Sequence, residues 1–179
     1  REMFIKDGFL EDKNNPDIVV INTCSVTAVA DQKSRQHIRS AIRKNNNVIV
    51  AVMGCYSQNN ADYIEKECGA QIVVGTSNRN KIVDYVKNYI QNRKPIIEVD
   101  NDTRHFKYES FGAFSHPGTT RAYIKVQDGC NNFCSYCTIP YTRGNARSRD
   151  KQEIIDEITY LISKGFKEFV LTGIHTAHY

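Results

Sequence analysis

The 179-residue chain is 40% hydrophobic and 25% charged with a net charge of +4, the make-up of a globular protein with material for one or two cored domains. No apolar run approaches the roughly 18 residues of a membrane span, and no charged opening followed by an apolar stretch and a cleavage site reads as a secretory signal. A charge of +4 is too small by itself to mark a nucleic-acid binder, although its distribution is uneven.

In chain order, the segment before Asp17, with Met3, Phe4 and then Gly8, reads as the tail of a helix. Three short runs rich in Val and Ile follow, "DIVVINT" (17–23), "NVIVAVMG" (47–54) and "AQIVVG" (70–75), the pattern of buried parallel strands. Helical stretches at 27–44 and 58–67 separate them, and a third at 78–92 carries Ile82, Tyr85, Val86, Tyr89 and Ile90 at helical spacing. Alternating strands and helices predict a parallel α/β sheet with right-handed crossovers. Residues 100–120 lack periodicity, contain Gly, Pro and Ser, and read as a linker between a first domain at 1–99 and a second at 121–179. The second unit opens with a strand, "RAYIKVQ" (121–127), then a cysteine loop. A helix at 150–165 follows, with Ile154, Ile155, Ile158, Leu161 and Ile162 on one face and Gly165 as its stop, and then the strand "EFVLTG" (168–173). The chain opens on Arg1 rather than Met and ends at Tyr179 just past a strand, so it is expected to be an internal fragment.

Two stretches are locally basic. "KSRQHIRSAIRK" (33–44) sets Arg35, Arg39 and Arg43 in an i, i+4 stripe, expected to be a solvated helix face; "YTRGNARSRDK" (141–151) follows the cysteine loop, so Arg143, Arg147 and Arg149 are candidates for anion or substrate contact. Six cysteines, at 24, 55, 68, 130, 134 and 137, cluster in a chain without a secretory signal. That argues for reduced thiols and a cytoplasmic location.

The densest feature is "GCNNFCSYC" (129–137), three cysteines on one loop: Cys130, Cys134 and Cys137. Thiolates are soft ligands that select zinc, copper(I) or iron–sulfur clusters. Structural zinc recruits a second pair of ligands, and only His175 and His178, far downstream, offer one. A cluster held by three thiolates instead leaves one metal position open, the mark of a catalytic rather than a structural site. Cys24 and Cys55 each end a predicted parallel strand, "VVINTC" and "VAVMGC", where open α/β sheets bind ligands. Cys68, at a helix end, is expected to pack.

"CNNFCSYC", with Tyr136 just before the last cysteine, resembles the radical S-adenosylmethionine superfamily; "INTCSVT", "MGCYSQ" and "VQDGCNNFCSYCTIPYTRG" in that order resemble its methylthiotransferase family over essentially the whole chain. The resemblance implies a Rossmann-like methylthiotransferase domain followed by the start of a radical S-adenosylmethionine (β/α) barrel. It implies two 4Fe-4S clusters in the full-length protein. Cys130, Cys134 and Cys137 would hold the one that binds S-adenosylmethionine, whose amino and carboxylate groups take the open iron. Cys24 and Cys55 would supply two of the three ligands of an auxiliary cluster. Tyr136 would lie against the cofactor's adenine, and Thr172 and Gly173 near its amino group.

The wording of "NTCSVTAVADQKSRQHIR", "TRAYIKVQDGC" and "LTGIHTAHY" is most similar to the branch that adds a methylthio group to C2 of N6-threonylcarbamoyladenosine next to the tRNA anticodon. Relatives that modify isopentenyladenosine in tRNA, or an aspartate of a ribosomal protein, share the same cysteines. The implied partners are the tRNA anticodon stem-loop and an electron donor such as a flavodoxin or ferredoxin. A non-enzymatic iron–sulfur or zinc-binding module is the alternative of another class; it accounts for the loop but not for cysteines at two other strand ends.

Overall fold

Strands Ile18–Thr23 (β1), Ile49–Gly54 (β2), Ile72–Val74 (β3) and Ile96–Glu98 (β4) pair in parallel and in sequential order to form one sheet. This computed structural model describes residues 1–45, 47–111 and 120–179, and they fall into two units, Arg1–Asp102 and Thr103–Tyr179. β2 is the reason the first unit has a core. Ile49, Val50, Ala51 and Val52 are all buried, because a central parallel strand is covered on both faces and side chains alternate between them. Val50, Val52 and Val73 face one layer with Ile38, Tyr56 and Ile64; Ile49, Ala51, Ile72 and Val74 face the other with Ile82, Val83 and Val86.

The helices on these faces are Ala28–Lys44 (α2), Cys55–Asn59 (α3), Ala61–Lys66 (α4) and Ile82–Asn92 (α5), after a short helix at Glu2–Lys6 (α1). α2 is started by Thr27, whose Oγ1 accepts from the Ala30 N–H at 3.1 Å. The single helix expected at 58–67 is two pieces. α3 begins earlier, at Cys55, and the run breaks at Asn60, whose side chain donates to the Tyr56 carbonyl at 3.2 Å and competes with the helical ladder. β4 has no counterpart among the expected strands: it is three residues long and follows Pro95 on the sheet's edge.

Position in the sheet sets the cost of truncation. Ile72→Ala, at a fully buried site, is expected to destabilise the first unit by about 2–5 kcal/mol. Ile97→Ala, on the edge at 42% exposure, should cost no more than about 1 kcal/mol. Urea unfolding followed by hydrogen exchange of β2 and β3 checks the contrast.

In the second unit Arg121–Lys125 (β5) pairs in parallel with Glu168–Thr172 (β8), and Lys151–Ser163 (α7) makes the crossover. Asp150 caps α7 by accepting from the Gln152 and Glu153 N–H groups at 2.8 and 3.2 Å. At the other end the Gly165 N–H bonds Ile162 and the Phe166 N–H bonds Leu161 with Gly165 at φ +91, a Schellman stop. Ile154, Ile158 and Leu161 pack on Ala122, Ile124, Val126, Phe166 and Phe169. Ile155 and Ile162, expected on the same face, are instead 43% and 57% exposed, since one step from the buried stripe is a rotation of about 100°.

The expected strand 121–127 also divides. After Lys125 the chain changes partner, and Gln127–Asp128 (β6) pairs antiparallel with Arg147–Ser148 (β7), matching Asp128 to Arg147. The short helix Ile139–Arg143 (α6) lies between them. Of the stretch read as a linker, Thr103 donates to the Tyr141 carbonyl at 3.2 Å and the Tyr108 hydroxyl to the Lys125 carbonyl at 2.6 Å, both within the second unit. Residues 112–119 of that stretch lie outside the described residues. Burial pushes the Tyr108 phenol up to about 12. The stability its neutral form contributes is complete below the ordinary phenol pKa of about 10 and is lost as pH rises through about 12. Tyr108→Phe is therefore expected to remove the most alkaline step from the tyrosinate absorbance titration of the folded chain.

Candidate metal centre

The cysteine loop of the second unit is an excursion between β6 and β7. It begins with Gly129 at φ +71, where an added Cβ would stand 2.0 Å from the Asn145 carbonyl oxygen and 2.6 Å from that of Gly144. Only glycine fits that approach. The next residue, Cys130, is buried, and its N–H donates to the Gly144 carbonyl at 3.1 Å. Asn131 Oδ1 accepts from the Ala146 N–H at 2.9 Å, so the outgoing and returning arms are tied twice. Within the loop, Phe133 turns the chain at φ 46 and stacks edge-on against Tyr141 at 5.6 Å. The Cys137 N–H bonds the Cys134 carbonyl at 2.9 Å.

Cys130, Cys134 and Cys137 are all free thiols, buried, exposed and half-buried in turn. Among the described residues no three Cys, His, Asp or Glu side chains are already gathered as a metal-binding group. What the loop presents is a donor set, three soft sulfurs on nine residues, two of them open to solvent. That chemistry fits a thiophilic metal or an iron–sulfur cluster.

Asp128, at the root of the loop, was not singled out by the sequence. It is 3% exposed, and its carboxylate accepts from Lys125 Nζ, from Arg143 and Arg147, and from the Gly129 N–H. Burial opposes its charge most strongly, but Lys125 and the two guanidiniums outweigh that and hold its carboxyl at about 2. Gln127, fully buried, is the other missed residue. Its Nε2 donates to the Gly129 carbonyl at 2.8 Å and its Oε1 accepts from the His175 N–H at 2.8 Å. The available signal was two polar residues at the end of an apolar strand, directly before the first loop cysteine.

Through Gln127 the end of β8 meets the root of the cysteine loop. Thr172 Oγ1 donates to the Ile124 carbonyl at 3.4 Å, and a Cβ on Gly173 would come within 2.9 Å of Gln127 Cβ. Tyr136 stands in solvent, 90% exposed. His175 and His178 stack on each other at 4.0 Å.

The three arginines expected to meet anions are directed to internal partners. Arg143 and Arg147 reach Asp128, and Arg147 also donates to the Asn145 carbonyl. Arg149 is buried and paired with Glu153 and Glu157, beside a cavity of about 180 Å³ whose lining includes Tyr108, Ser110 and Tyr123. Glu153 and Glu157 lie four and eight residues along the chain from Arg149, so α7 supplies both carboxylates to a guanidinium that precedes it. A buried guanidinium with two carboxylate partners is a structural ion group, not a surface for phosphate.

In the first unit the register pairs Thr23 with Gly54. Cys24 and Cys55 directly follow these two strand ends, Cys55 as the first residue of α3, so the backbone sets both at the carboxyl edge of neighbouring strands. Cys24 is exposed and Cys55 buried, and no cysteine among the described residues is in a disulfide. Gly54, at φ +111 with the Thr23 carbonyl oxygen 2.5 Å from an added Cβ, lets β2 turn directly into α3. Buried side chains knit this edge. Thr23 Oγ1 donates to the Met53 carbonyl at 2.8 Å, and Ser57 Oγ to the Val74 carbonyl at 2.6 Å. Gln58 Oε1 accepts from the Thr76 N–H at 2.9 Å. Cys68 is buried in the apolar cluster around Ile38 and Ile64. The basic stripe on α2 is partly used: Arg35 and Arg39 lie over the rings of Tyr56 and Tyr63, each at 5.9 Å.

Comparison with known proteins follows the same two-part division. Residues 2–75 match the model of "uncharacterized protein family UPF0004", and residues 124–179 match that of the radical SAM superfamily. The threonylcarbamoyladenosine tRNA methylthiotransferase MtaB of Bacillus subtilis (strain 168) is 47% identical over 91% of this chain and 36% of its own length. A tRNA-2-methylthio-N(6)-dimethylallyladenosine synthase of Syntrophus aciditrophicus (strain SB) is 35% identical over 94% of this chain and 37% of its own length. The chain thus spans a little over a third of these relatives. Among solved structures, the fold is similar to the radical S-adenosylmethionine methyltransferase TsrM from Kitasatospora setae, with a TM-score of 0.57 at 14% identity, over 93% of this chain and 39% of that one. With both family models matched in order and the cysteines placed on a loop and at two adjacent strand ends, the chain belongs to the radical S-adenosylmethionine methylthiotransferase family.

Proposed function

We propose that this chain carries the cluster-binding part of a tRNA-modifying methylthiotransferase that places a methylthio group on C2 of N6-threonylcarbamoyladenosine next to the anticodon. The observation that carries the reading is the pairing of two thiol sites: three thiols on the loop after β6, and Cys24 with Cys55 on adjacent strand ends of the other unit. The 47% identity to a relative named for threonylcarbamoyladenosine, against 35% to one named for dimethylallyladenosine, supports that branch.

In this reading Cys130, Cys134 and Cys137 hold a 4Fe-4S cluster together with S-adenosylmethionine, and Cys24 and Cys55 contribute to a second cluster. When bound, cluster and cofactor supply the one-electron chemistry that an inert adenine C–H bond requires. The chain's own residues bind and orient. Gly129 and the backbone bond from Cys130 to Gly144 fix the first thiol. In the same reading Tyr136, exposed in the structure, would cover the cofactor's adenine, and Thr172 and Gly173, next to Gln127, would lie near its amino group. The tRNA anticodon stem-loop is the substrate, and an electron donor such as a flavodoxin or ferredoxin the reductant, in the cytoplasm. Among the described residues no helix is long and apolar enough to cross a membrane.

Mass spectrometry of nucleosides from digested tRNA, in cells with and without the gene encoding this chain, tests the proposal. Loss of 2-methylthio-N6-threonylcarbamoyladenosine is the expected result. Loss of the methylthio group from the isopentenyl nucleoside or from the ribosomal aspartate instead would move the chain to another branch. No change in any methylthio product of a host that makes them would leave the non-enzymatic module as the better reading.

A further inference from the structure

We propose that Asp128 is the positioning residue of the cysteine loop: its buried carboxylate closes the neck of the excursion Gly129–Ala146 and so determines how Cys130, Cys134 and Cys137 are offered to a metal cluster. The inference rests on the loop's being a cluster site, as proposed above.

The neck needs such a device. β6 and β7 are two residues each, and a pair of that length is too short to hold a long excursion by backbone bonds alone. Asp128 works on both arms at once. On the outgoing arm its Oδ1 accepts from the Gly129 N–H at 2.9 Å and its Oδ2 from Lys125 Nζ at 2.5 Å. On the returning arm Arg143 donates to Oδ1 at 3.2 Å and Arg147 to Oδ2 at 3.3 Å. Arg147 then donates onward to the backbone carbonyls of Arg143 and Asn145. Those residues flank Gly144, whose carbonyl accepts the Cys130 N–H at 3.1 Å. A continuous set of bonds thus runs from the carboxylate to the backbone of the first loop cysteine.

The side chain is 4% exposed and Arg147's is 10% exposed, so the bonds form in a low-dielectric setting. There a charge-assisted bond is strong, and an ion left without its counter-charge is costly. Asp128→Asn nearly keeps the shape, removes the charge and leaves Arg143 and Arg147 facing a neutral amide. Arg147→Gln opens the same neck from the other side while changing charge in the opposite sense.

The test uses the complete chain, first without metal. Hydrogen exchange read by mass spectrometry is expected to run ~10-fold faster across 129–146 in Asp128→Asn, with α7 and β5 unchanged. Exchange in 129–146 equal to that of the parent would overturn the proposal. If Asp128→Asn loosens the whole unit, Arg147→Gln decides, by the same local acceleration or its absence.

The second measurement separates positioning from plain stability. After anaerobic reconstitution with ferrous iron and sulfide, iron bound at the loop should be lost to a chelator ~10-fold faster in both variants despite their opposite charge changes. After one-electron reduction with dithionite, the electron-paramagnetic spectrum of the remaining cluster should also differ from the parent's. Parent-like iron retention and spectrum in folded variants would reduce Asp128 to a structural ion group and sink the idea. A parent chain that takes up no iron would refute the cluster reading instead, and the exchange comparison would still decide whether Asp128 holds the neck.

Discussion

Replacing Cys130, Cys134 or Cys137 singly by Ala is expected to abolish iron binding at the loop while leaving the fold in place. Each removes one of three soft donors, and a site with two thiolates no longer satisfies a cluster that already leaves one metal position to another ligand. The fold should tolerate the change because the thiols contribute little packing. Cys134 is exposed and Cys137 half-buried, so their loss should alter stability by no more than about 0.5 kcal/mol. Cys130 is 8% exposed and should cost about 1 kcal/mol. Cys68→Ala is the internal control, since it removes a buried thiol from an apolar cluster in the other unit and should leave loop iron untouched. Iron and sulfide per chain after anaerobic reconstitution, with circular dichroism for the fold, make the comparison. Wild-type iron in Cys134→Ala would remove the loop from the cluster assignment.

Gly129→Ala is expected to be as damaging to the site and far more damaging to the second unit. At φ +71 an L-residue is strained by about 1–2 kcal/mol. The added methyl would also stand 2.0 Å from the Asn145 oxygen, a backbone atom that cannot rotate away. The total should be on the order of 3–5 kcal/mol, with loss of the Cys130–Gly144 bond and of loop iron. Gly165→Ala makes the contrast. Its φ is +91, but an added Cβ meets nothing within 4 Å, so the expected cost is only about 1–2 kcal/mol. Denaturant unfolding followed by exchange of β5 and α7 separates the two, and equal losses would mean the close approach at Gly129 does not matter. Gly54→Ala should behave like Gly129→Ala in the first unit, since the Thr23 oxygen lies 2.5 Å from its added Cβ.

Gly129 and Gly54 each precede a cysteine, a local pattern whose steric reason lies in distant segments. The sequence by itself determined what depends on near neighbours along the chain. The Val- and Ile-rich runs of β1, β2 and β3 carry the signature of strands covered on both faces. Asp150 and Gly165 mark the two ends of α7. The spacing of Cys130, Cys134 and Cys137 puts three soft donors on one loop. Each of these is a local pattern, and local patterns survive without knowledge of pairing.

What only the tertiary structure decided depends on which distant segments meet. β4 is three residues on an edge and carries too little pattern to announce itself. The change of partner after Lys125, from β8 to β7, follows from competition between two pairings, not from residue type. That antiparallel register sets Asp128 opposite Arg147, 19 residues away, and within reach of Arg143, 15 away. It thereby turns an expected anion-binding stretch into the internal counter-charge of a buried carboxylate. Arg149 is buried for the same kind of reason, because the fold of α7 brings Glu153 and Glu157 to it. Charge and spacing are written in the chain, but whether an arginine faces water or a buried carboxylate is fixed only when non-local pairing sets the local dielectric.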